Sequence, residues 1–523
     1  KALTAAGGQA LITVTGNGML GVPGIAARAF AGLHGRKISV SLISQASSEH
    51  SICFSVPEAA ADTARQSLIQ EFQAEITHGD IDGVEVRPGM ATVAVVGLGM
   101  HGTPGVAATV FSALASAKIN VVAIAQGSSE LNISAVVSNA DAGEAQRRIH
   151  TAFQLSRLAG GAVVEPERME VVLLGFGQIG RALAALLPRV KRPGLTLRVA
   201  AIIDRSGFIF DPAGLSTRRL ATVAALKKKR GAIADIPGAT ASGAAAAVAH
   251  IAGYALSRPV LVDLTADDTA PVLEEALLHG MDLVLANKRP LADRRSVSDS
   301  LWQIARARGR RILHEATVGA GLPIIDTYHK LIESGDRVER IEGLLSGTLG
   351  YVLSQVSLGV SFSKAVTAAM TRGYTEPDPR EDLSGMDVAR KALILARLLG
   401  FRGELRGDAV ESLVPRWARS IALDEFLDRI EELDPAWKRR AARASKAGRV
   451  LRYVAVVTAR KIAVGVRSVP TTSPFAAIQG SDNQLVFTTT RYQSNPLVIT
   501  GPGAGAEVTA AGVLNDVLRL AGT

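Results

Sequence analysis

Aromatic side chains are scarce in this chain of 523 residues, where Phe, Tyr and Trp together contribute 4%. Packing must therefore rest on Ala, Val and Leu, the usual filling of α/β layers. Cysteine is almost absent, and the lone Cys53 excludes an intramolecular disulfide framework and suits a reducing cytosol. Long apolar runs are missing too. The richest stretch, Val171 to Leu187, is interrupted by Gly175, Gly177, Gly180 and Arg181, so no membrane span is expected. Nor does the start, Lys1-Ala2-Leu3-Thr4, offer an initiator Met or the apolar centre of a signal peptide. The length leaves room for roughly three or four units.

A net charge of +10 raises the question of nucleic-acid binding. The candidate patches are Lys227-Lys228-Lys229-Arg230 and the series Lys438, Arg439, Arg440, Arg443, Lys446 and Arg449. Neither is interleaved with aromatics, and the second falls on a predicted helix. Solvated basic faces are expected there, and no nucleic-acid partner.

The pattern Gly-x-Gly-x-x-Gly occurs three times, beginning at Gly16, Gly97 and Gly175. The first two occurrences belong to an internal repeat. Gly16, Pro23, Gly24, Phe30, Ile38, Gln45, Ser47, Ser48 and Glu49 return at one constant displacement as Gly97, Pro104, Gly105, Phe111, Ile119, Gln126, Ser128, Ser129 and Glu130. Duplicated sequence means duplicated fold. Each copy predicts a strand, a glycine turn, a helix from the Pro-Gly pair and a second strand, Ile38–Ile43 or Ile119–Ala125. A Gln-x-Ser-Ser-Glu corner then leads to a third strand, Ser51–Val56 or Asn132–Val137, and a closing helix. This β-α-β-β-α order resembles the ACT domain, a small amino-acid-sensing module. The resemblance makes Gln45 and Gln126 effector contacts, while tight polar turns are the plainer reading of the same corners.

Only the third glycine motif has the surroundings of a dinucleotide site. Strand Met169–Leu174 runs into Gly175-Phe176-Gly177-Gln178-Ile179-Gly180, and a helix from Ile179 to Leu187 ends at Pro188. The glycines allow a tight turn and close backbone approach, and the helix start turns free N–H groups toward a pyrophosphate. The next strand, Leu195–Ile203, ends at Asp204-Arg205-Ser206. An acid there suits the ribose hydroxyl of NAD, whereas Arg205 suits the 2′-phosphate of NADP, so both cofactors stay open, with a lean to NADP(H) from the guanidinium. Further parallel strands are expected at Val260–Leu264 and Leu283–Ala286, and a shorter one at Arg311–His314 leads into Glu315. Beyond a charged helical region over 402–450, Val450–Val456 and Arg467–Gly480 read as strands. His314, His329 and Cys53 have no partners at ligand or triad spacing.

The most informative stretch is Gly373-Tyr374-Thr375-Glu376-Pro377-Asp378-Pro379-Arg380-Glu381-Asp382-Leu383-Ser384-Gly385-Met386-Asp387-Val388-Ala389-Arg390-Lys391. Its prolines hold Glu376 to Pro379 extended, because each disfavours helix for the residue before it, so Glu376, Asp378, Glu381 and Asp382 crowd one loop as a cation-binding wall. Beyond Gly385 the spacing turns helical and puts Asp387 and Lys391 one turn apart on one face. An ordinary surface ion pair is the plainer reading. The stretch resembles the substrate-binding and catalytic signature of homoserine dehydrogenases. So do Asp263-Leu264-Thr265, Asn287-Lys288-Arg289-Pro290, Ser346-Gly347-Thr348 and the turn from Glu315 to Ile325. With the ACT pair in front, the layout is similar to the C-terminal part of bifunctional aspartokinase–homoserine dehydrogenases. The kinase region of that layout does not precede the repeat, so the chain reads as a fragment without kinase activity.

The resemblance implies an α/β chain of four parts: a tandem ACT regulatory region over 1–160 (repeats about 10–80 and 91–155), a Rossmann nucleotide-binding domain over 165–313, an α+β substrate and dimerisation domain over 314–495, and a C-terminal helix over 496–523 returning to the nucleotide domain. It implies reversible reduction of L-aspartate 4-semialdehyde to L-homoserine with NADP(H) or NAD(H), a step of threonine and methionine biosynthesis. The setting is cytoplasmic, or a plastid in a plant, and the assembly a homodimer or homotetramer. Cofactor contacts fall to Gly175, Gly177, Gln178, Ile179, Gly180, Asp204, Arg205, Thr265, Lys288 and Gly503. Glu376 and Asp382 hold the substrate ammonium, with Lys288 and Lys391 also on the substrate. Asp387 positions the reacting oxygen, and Lys391 donates the proton with Lys288 as its rival. Glu315 and the carbonyls of Val318, Ala320 and Leu322 hold a monovalent cation, usually sodium, and threonine is the expected effector. Two other readings compete: a catalytically silent ACT sensor on a decayed dehydrogenase scaffold, and a different NAD(P)-dependent dehydrogenase sharing only the Rossmann half. The presence of every carried-over acid and lysine favours the enzyme.

Overall fold

A computed structural model describes the chain apart from residues 1, 20–21, 46–49, 98–99, 103–104, 154–166, 255, 257, 479 and 523. Ser47, Ser48 and Glu49 of the first corner, Pro104, the motif residues Gly21 and Gly99, and the boundary expected near 160–165 lie outside the described residues. Among the described residues, no helix is long and apolar enough to cross a membrane.

The repeat builds one antiparallel sheet from β1 (Ala2–Thr15), β2 (Leu42–Gln45), β3 (Ser51–Pro57), β4 (Gly83–Val96), β5 (Ala123–Gln126) and β6 (Asn132–Ser138), in the order β2-β3-β1-β4-β6-β5. The long strands β1 and β4 run antiparallel from Ala2 opposite Val96 to Thr15 opposite Gly83. The second half of β1 pairs with β3 and the second half of β4 with β6, so each long strand serves both repeats. Alternating apolar residues drive this: Ile12, Phe54, Leu33 and Leu68 fill one helix-covered core, and Val93, Ile133, Leu114 and Ile149 the other. The second strand of each repeat starts later than the apolar pattern suggests. Ile38 and Ile119 donate back to Leu33 and Leu114 and close the preceding helices, with Lys37 and Lys118 in the left-handed region, so their side chains pack against the helices instead of extending a strand.

The second sheet comprises β7 (Glu167–Leu174), β8 (Leu195–Asp204), β9 (Gly207–Phe210), β10 (Ala239–Thr240), β11 (Pro259–Asp263), β12 (Asp282–Leu285) and β13 (Ile312–Leu313), ordered β10-β9-β8-β7-β11-β12-β13. Strands β8 to β13 in that row are parallel, and β9 and β10 add an antiparallel edge. Continuous apolar runs such as Val260-Leu261-Val262 are fully buried because helices cover both faces. Leu183 of helix Gln178–Leu186 and Val513 and Val517 of helix Ala506–Leu520 fill one face; Val248, Leu273 and Leu301 fill the other. Strand β13 is shorter than Arg311–His314, since the chain bends into a 3₁₀ turn at Glu315–Thr317.

The third sheet has β14 (Val338–Leu344), β15 (Arg449–Val457), β16 (Ile462–Pro470), β17 (Asp482–Thr489) and β18 (Leu497–Pro502), ordered β16-β15-β14-β17-β18 and antiparallel. Two expectations change here. The strand read at Arg467–Gly480 is β16, which ends at Pro470, and Pro474 opens a short helix beyond it. Residues 497–502 belong to this sheet as its edge strand rather than to a terminal return, with Asp482 opposite Pro502. The return begins only at Ala506. Helices Gly347–Ser357 and Met386–Leu398 lie against the sheet through Leu349, Val352, Val388 and Leu395. Gly385, at φ 74°, cannot carry a side chain, because the Tyr453 hydroxyl fills the place a Cβ would take.

Candidate active site

A cavity of about 1010 Å³ opens where the second and third sheets meet, beyond the C-terminal ends of β7, β11 and β12. Helix Met386–Leu398 brings Lys391 and Asp387 into it one turn apart, with Lys391 Nζ 2.8 Å from Asp387 Oδ2. From the opposite wall Lys288, just past β12, places Nζ 3.3 Å from the other oxygen of the same carboxylate. Asp387 therefore bridges two lysines from two structural units. Burial pushes its carboxyl up, but the ammonium groups of Lys391 and Lys288 outweigh this and hold it well below the usual carboxylate range. Burial also lowers Lys288, with Asp387 opposing and Lys391 reinforcing the shift. Lys391 is further fixed by donating to the Leu345 carbonyl at 2.7 Å.

Of the four acids expected to form one wall, three line the cavity: Glu376, Glu381 and Asp382. Asp378 does not. Its carboxylate caps helix Pro379–Leu383 and is gripped by Arg380 at 2.6 Å, while Arg380 also donates to the carbonyls of Ala418 and Ile421. Pro379 thus starts a helix rather than extending a loop, as proline does at a first helical position. Asp382 accepts the Thr348 hydroxyl at 3.0 Å and the Glu376 N–H at 2.8 Å, which anchors the Glu376 backbone at the cavity edge.

The glycine loop shows a distinct reason for each glycine. A Cβ on Gly175, at φ 92°, would come within 2.9 Å of Thr265, and one on Gly180 within 2.7 Å of the Gly175 carbonyl. Nothing lies within 4 Å of the Cβ position at Gly177, which leaves its backbone open to a ligand. Gln178, Ile179, Thr265 and Gly503 line the same cavity. Asp204 and Arg205 lie away from its lining. Asp204 is held by Lys227 at 2.7 Å and by Ser206, and the exposed Arg205 makes a two-pronged pair with Asp267 at 2.7 and 3.0 Å. By contrast, Gly16 packs on the backbone of Asp80 and Ile81 and leads into a single 3₁₀ turn, so that motif is a structural corner.

Glu315 is buried, and its carboxylate accepts the N–H groups of Ile324, Ile325 and Asp326 at 2.6–2.8 Å, the N-terminus of helix Ile324–Glu333. Burial pushes its carboxyl up against those donors. Val318, Ala320 and Leu322 follow in one tight turn with Ala320 at φ 57°, and the Leu322 carbonyl also accepts Ile324 N–H at 2.9 Å. The turn is held from behind by Asp516, which accepts the Glu315 N–H at 2.7 Å. Among the described residues no group of three or more His, Cys, Asp or Glu is arranged to hold a metal.

Three family models match the chain: "ACT domain" at 12–72 and 93–153, "Homoserine dehydrogenase, NAD binding domain" at 175–315, and "Homoserine dehydrogenase" at 323–518. A homoserine dehydrogenase of Schizosaccharomyces pombe is 40% identical over 271 residues, half of this chain and 72% of that protein. The chain belongs to the homoserine dehydrogenase family. A chloroplastic bifunctional aspartokinase/homoserine dehydrogenase of Arabidopsis thaliana is 40% identical over 98% of this chain, which spans 55% of that relative. A hyperthermophilic archaeal homoserine dehydrogenase solved with NADPH superposes with TM-score 0.52 at 27% identity, covering 67% of this chain and 97% of that one.

Within this homoserine dehydrogenase fold, several contacts were not legible beforehand. Thr348, one residue into a helix capped by Ser346, faces the cavity and ties Asp382 to the Tyr374 carbonyl. The Ser-Gly-Thr turn was the only signal for it. Lys227, the first residue of the basic run Lys227–Arg230, pairs with Asp204 instead of standing on a solvated basic face. Gln45 and Gln126 end β2 and β5, the outer strands of the first sheet, and both are exposed.

Proposed function

We propose that this chain catalyses the reversible, NAD(P)H-dependent reduction of L-aspartate 4-semialdehyde to L-homoserine. The observation that carries the reading is the Asp387 carboxylate shared between Lys391 and Lys288 in a cavity that Gln178 and Ile179 of the glycine loop also line. When bound there, the nicotinamide supplies the hydride. Glu376 and Asp382 supply negative charge for the substrate ammonium, and the start of helix Gly347–Ser357 offers N–H groups to its carboxylate. Asp387 keeps both lysines aimed into the cavity. Lys391 donates the proton to the developing alkoxide; Lys288, lowered by burial, is the alternative donor.

Three finer assignments belong to the same proposal. The Glu315 turn holds a monovalent cation through a carboxylate with spare lone pairs and the carbonyls of Val318, Ala320 and Leu322, as a hard cation prefers. Sodium against a bulky organic cation should then raise the melting temperature. NADP(H) is favoured by Arg205 and Lys227 beside Asp204. The ACT pair senses an amino acid, threonine first, through Gln45 and Gln126, and calorimetry on Gln126→Ala should show weakened binding. The reduction itself is tested with aspartate 4-semialdehyde against succinate semialdehyde, which lacks the ammonium. A site built for that ammonium should favour the first by at least about 10²-fold in kcat/KM, and equal rates would overturn it.

A further inference from the structure

Behind the cavity lies a buried polar knot that the roles above do not use. Asp263, at the end of β11, has no exposed surface, and its carboxylate accepts Thr265 N–H at 3.0 Å, the Thr265 hydroxyl at 2.8 Å, the Thr269 hydroxyl at 2.5 Å and the Asn287 amide at 3.0 Å. Every donor is a hydroxyl, an amide side chain or a backbone N–H. Asn287, buried just beyond the adjacent β12, accepts Arg289 N–H through Oδ1 at 3.1 Å, while its Nδ2 also reaches the Asp267 carbonyl at 2.9 Å. The Asp263 carbonyl accepts the N–H groups of Ala286 and Asn287. Lys288 sits between Asn287 and Arg289. Its backbone is thus held on one side by the Asn287 N–H on the Asp263 carbonyl and on the other by the Asn287 side chain, which is in turn fixed by the Asp263 carboxylate.

We propose that Asp263 is a positioning residue for Lys288 and for the Thr265 wall of the cavity, acting through Asn287. This rests on the dehydrogenase reading above and adds a residue to it. Only an acceptor on both oxygens satisfies four donors, so an isosteric Asn must turn an N–H₂ group against one of them. The displaced partner is Asn287 or a threonine hydroxyl, and either shift moves Lys288 relative to Asp387. Displacements of this size at a supporting residue typically cost about 10–100-fold in rate.

The test compares Asp263→Asn, Thr269→Val and Thr269→Ser in the full chain. Thr269 is buried, donates to Asp263 and does not line the cavity, so serine keeps the donor while valine removes it. Two quantities are read: kcat with aspartate 4-semialdehyde, and the acetylation rate of Lys288 by acetic anhydride relative to the exposed Lys364, from peptide mass spectra. We expect kcat to fall at least about tenfold in Asp263→Asn and Thr269→Val and to stay within about twofold in Thr269→Ser. The Lys288 to Lys364 ratio should change by at least about threefold in the first two variants only. A kcat loss with an unchanged ratio would mean a merely structural role and overturn the proposal, as would unchanged kcat. If Asp263→Asn fails to fold, the valine and serine pair decides alone. If the unmodified chain proves inactive on the aldehyde, the dehydrogenase reading fails, and the labelling ratio still decides whether Asp263 positions Lys288.

Discussion

Lys288, just past strand β12 of the second sheet, and Asp387, on helix Met386–Leu398 against the third sheet, meet at 3.3 Å, so the nucleotide-binding unit and the substrate unit share one ion pair inside the cavity. Removing the carboxylate leaves two ammonium groups facing each other without the charge that aligns them. Asp387→Ala should lower kcat by about 10²–10⁴-fold and leave the NADPH dissociation constant within about threefold. Steady-state kinetics with a fluorescence titration reads both, and a variant keeping a third of kcat contradicts the role.

Arg205 is committed to Asp267 in this structure, on the surface, where solvent screening leaves such a pair weak. The guanidinium can therefore exchange partners for a phosphate. Arg205→Ala should raise KM for NADPH by about tenfold or more and barely affect NADH, while Asp267→Ala should lower KM for NADPH by a few-fold at most. Equal effects on both cofactors would show that Arg205 points elsewhere.

The repeat region docks on the nucleotide-binding unit through Glu144 of helix Ala142–Ala152. This carboxylate takes Arg147 at 2.7 Å and Arg148 at 2.7 Å, with Arg310 at 3.7 Å, and Arg147 also donates to the His279 carbonyl at 2.9 Å. Asp141 pairs with Arg308 beside them. Burial pushes the Glu144 carboxyl up, and the three arginines more than reverse this. Glu144→Ala strands a buried guanidinium without its carboxylate and should cost about 3–5 kcal/mol in denaturant unfolding. Gly280→Ala attacks the same dock from the other side, since a Cβ there would stand 2.6 Å from Glu144 Oε2 at φ 79°. A loss below about 1 kcal/mol in both would show that the contact does not hold the units together.

His314 is buried against Trp302, and burial lowers its pKa to about 4. The unfolded chain then binds the proton first, so His314 withdraws stability as pH falls from about 6.5 toward 4, by about 3 kcal/mol in full. Asp516, pushed up to about 7 by burial, works with the opposite sign over much of that window. The signal to read is therefore a difference. The stability gap between the natural chain and His314→Asn should shrink as pH drops from 7 to 4.5, and a gap independent of pH contradicts the assignment.

Much of this was legible because local chemistry and function coincide. The Gly175–Gly180 loop could be placed from strand, glycines and helix alone, and the spacing of Asp387 and Lys391 is the helix itself. What escaped depends on distant partners. The apolar Ile38 and Ile119 look like strand residues until the turns at Lys37 and Lys118 send them into helix packing. Asp378 looks like its acidic neighbours until Arg380 claims it. Edge strand β18 has only half-buried alternation and is defined by its pairing with β17. Asp263 and Asn287 stand in recognisable motifs, yet only the fold shows that one carboxylate ties them together.

The reaction itself is read by NADPH consumption by the purified chain with L-aspartate 4-semialdehyde, alongside chromatographic quantitation of L-homoserine. One homoserine should form per NADPH oxidised, homoserine and NADP should give the reverse reaction, and Lys391→Ala should lower the rate by about 10²-fold or more. Consumption of NADPH without homoserine, or equal rates for the chain and Lys391→Ala, would contradict it.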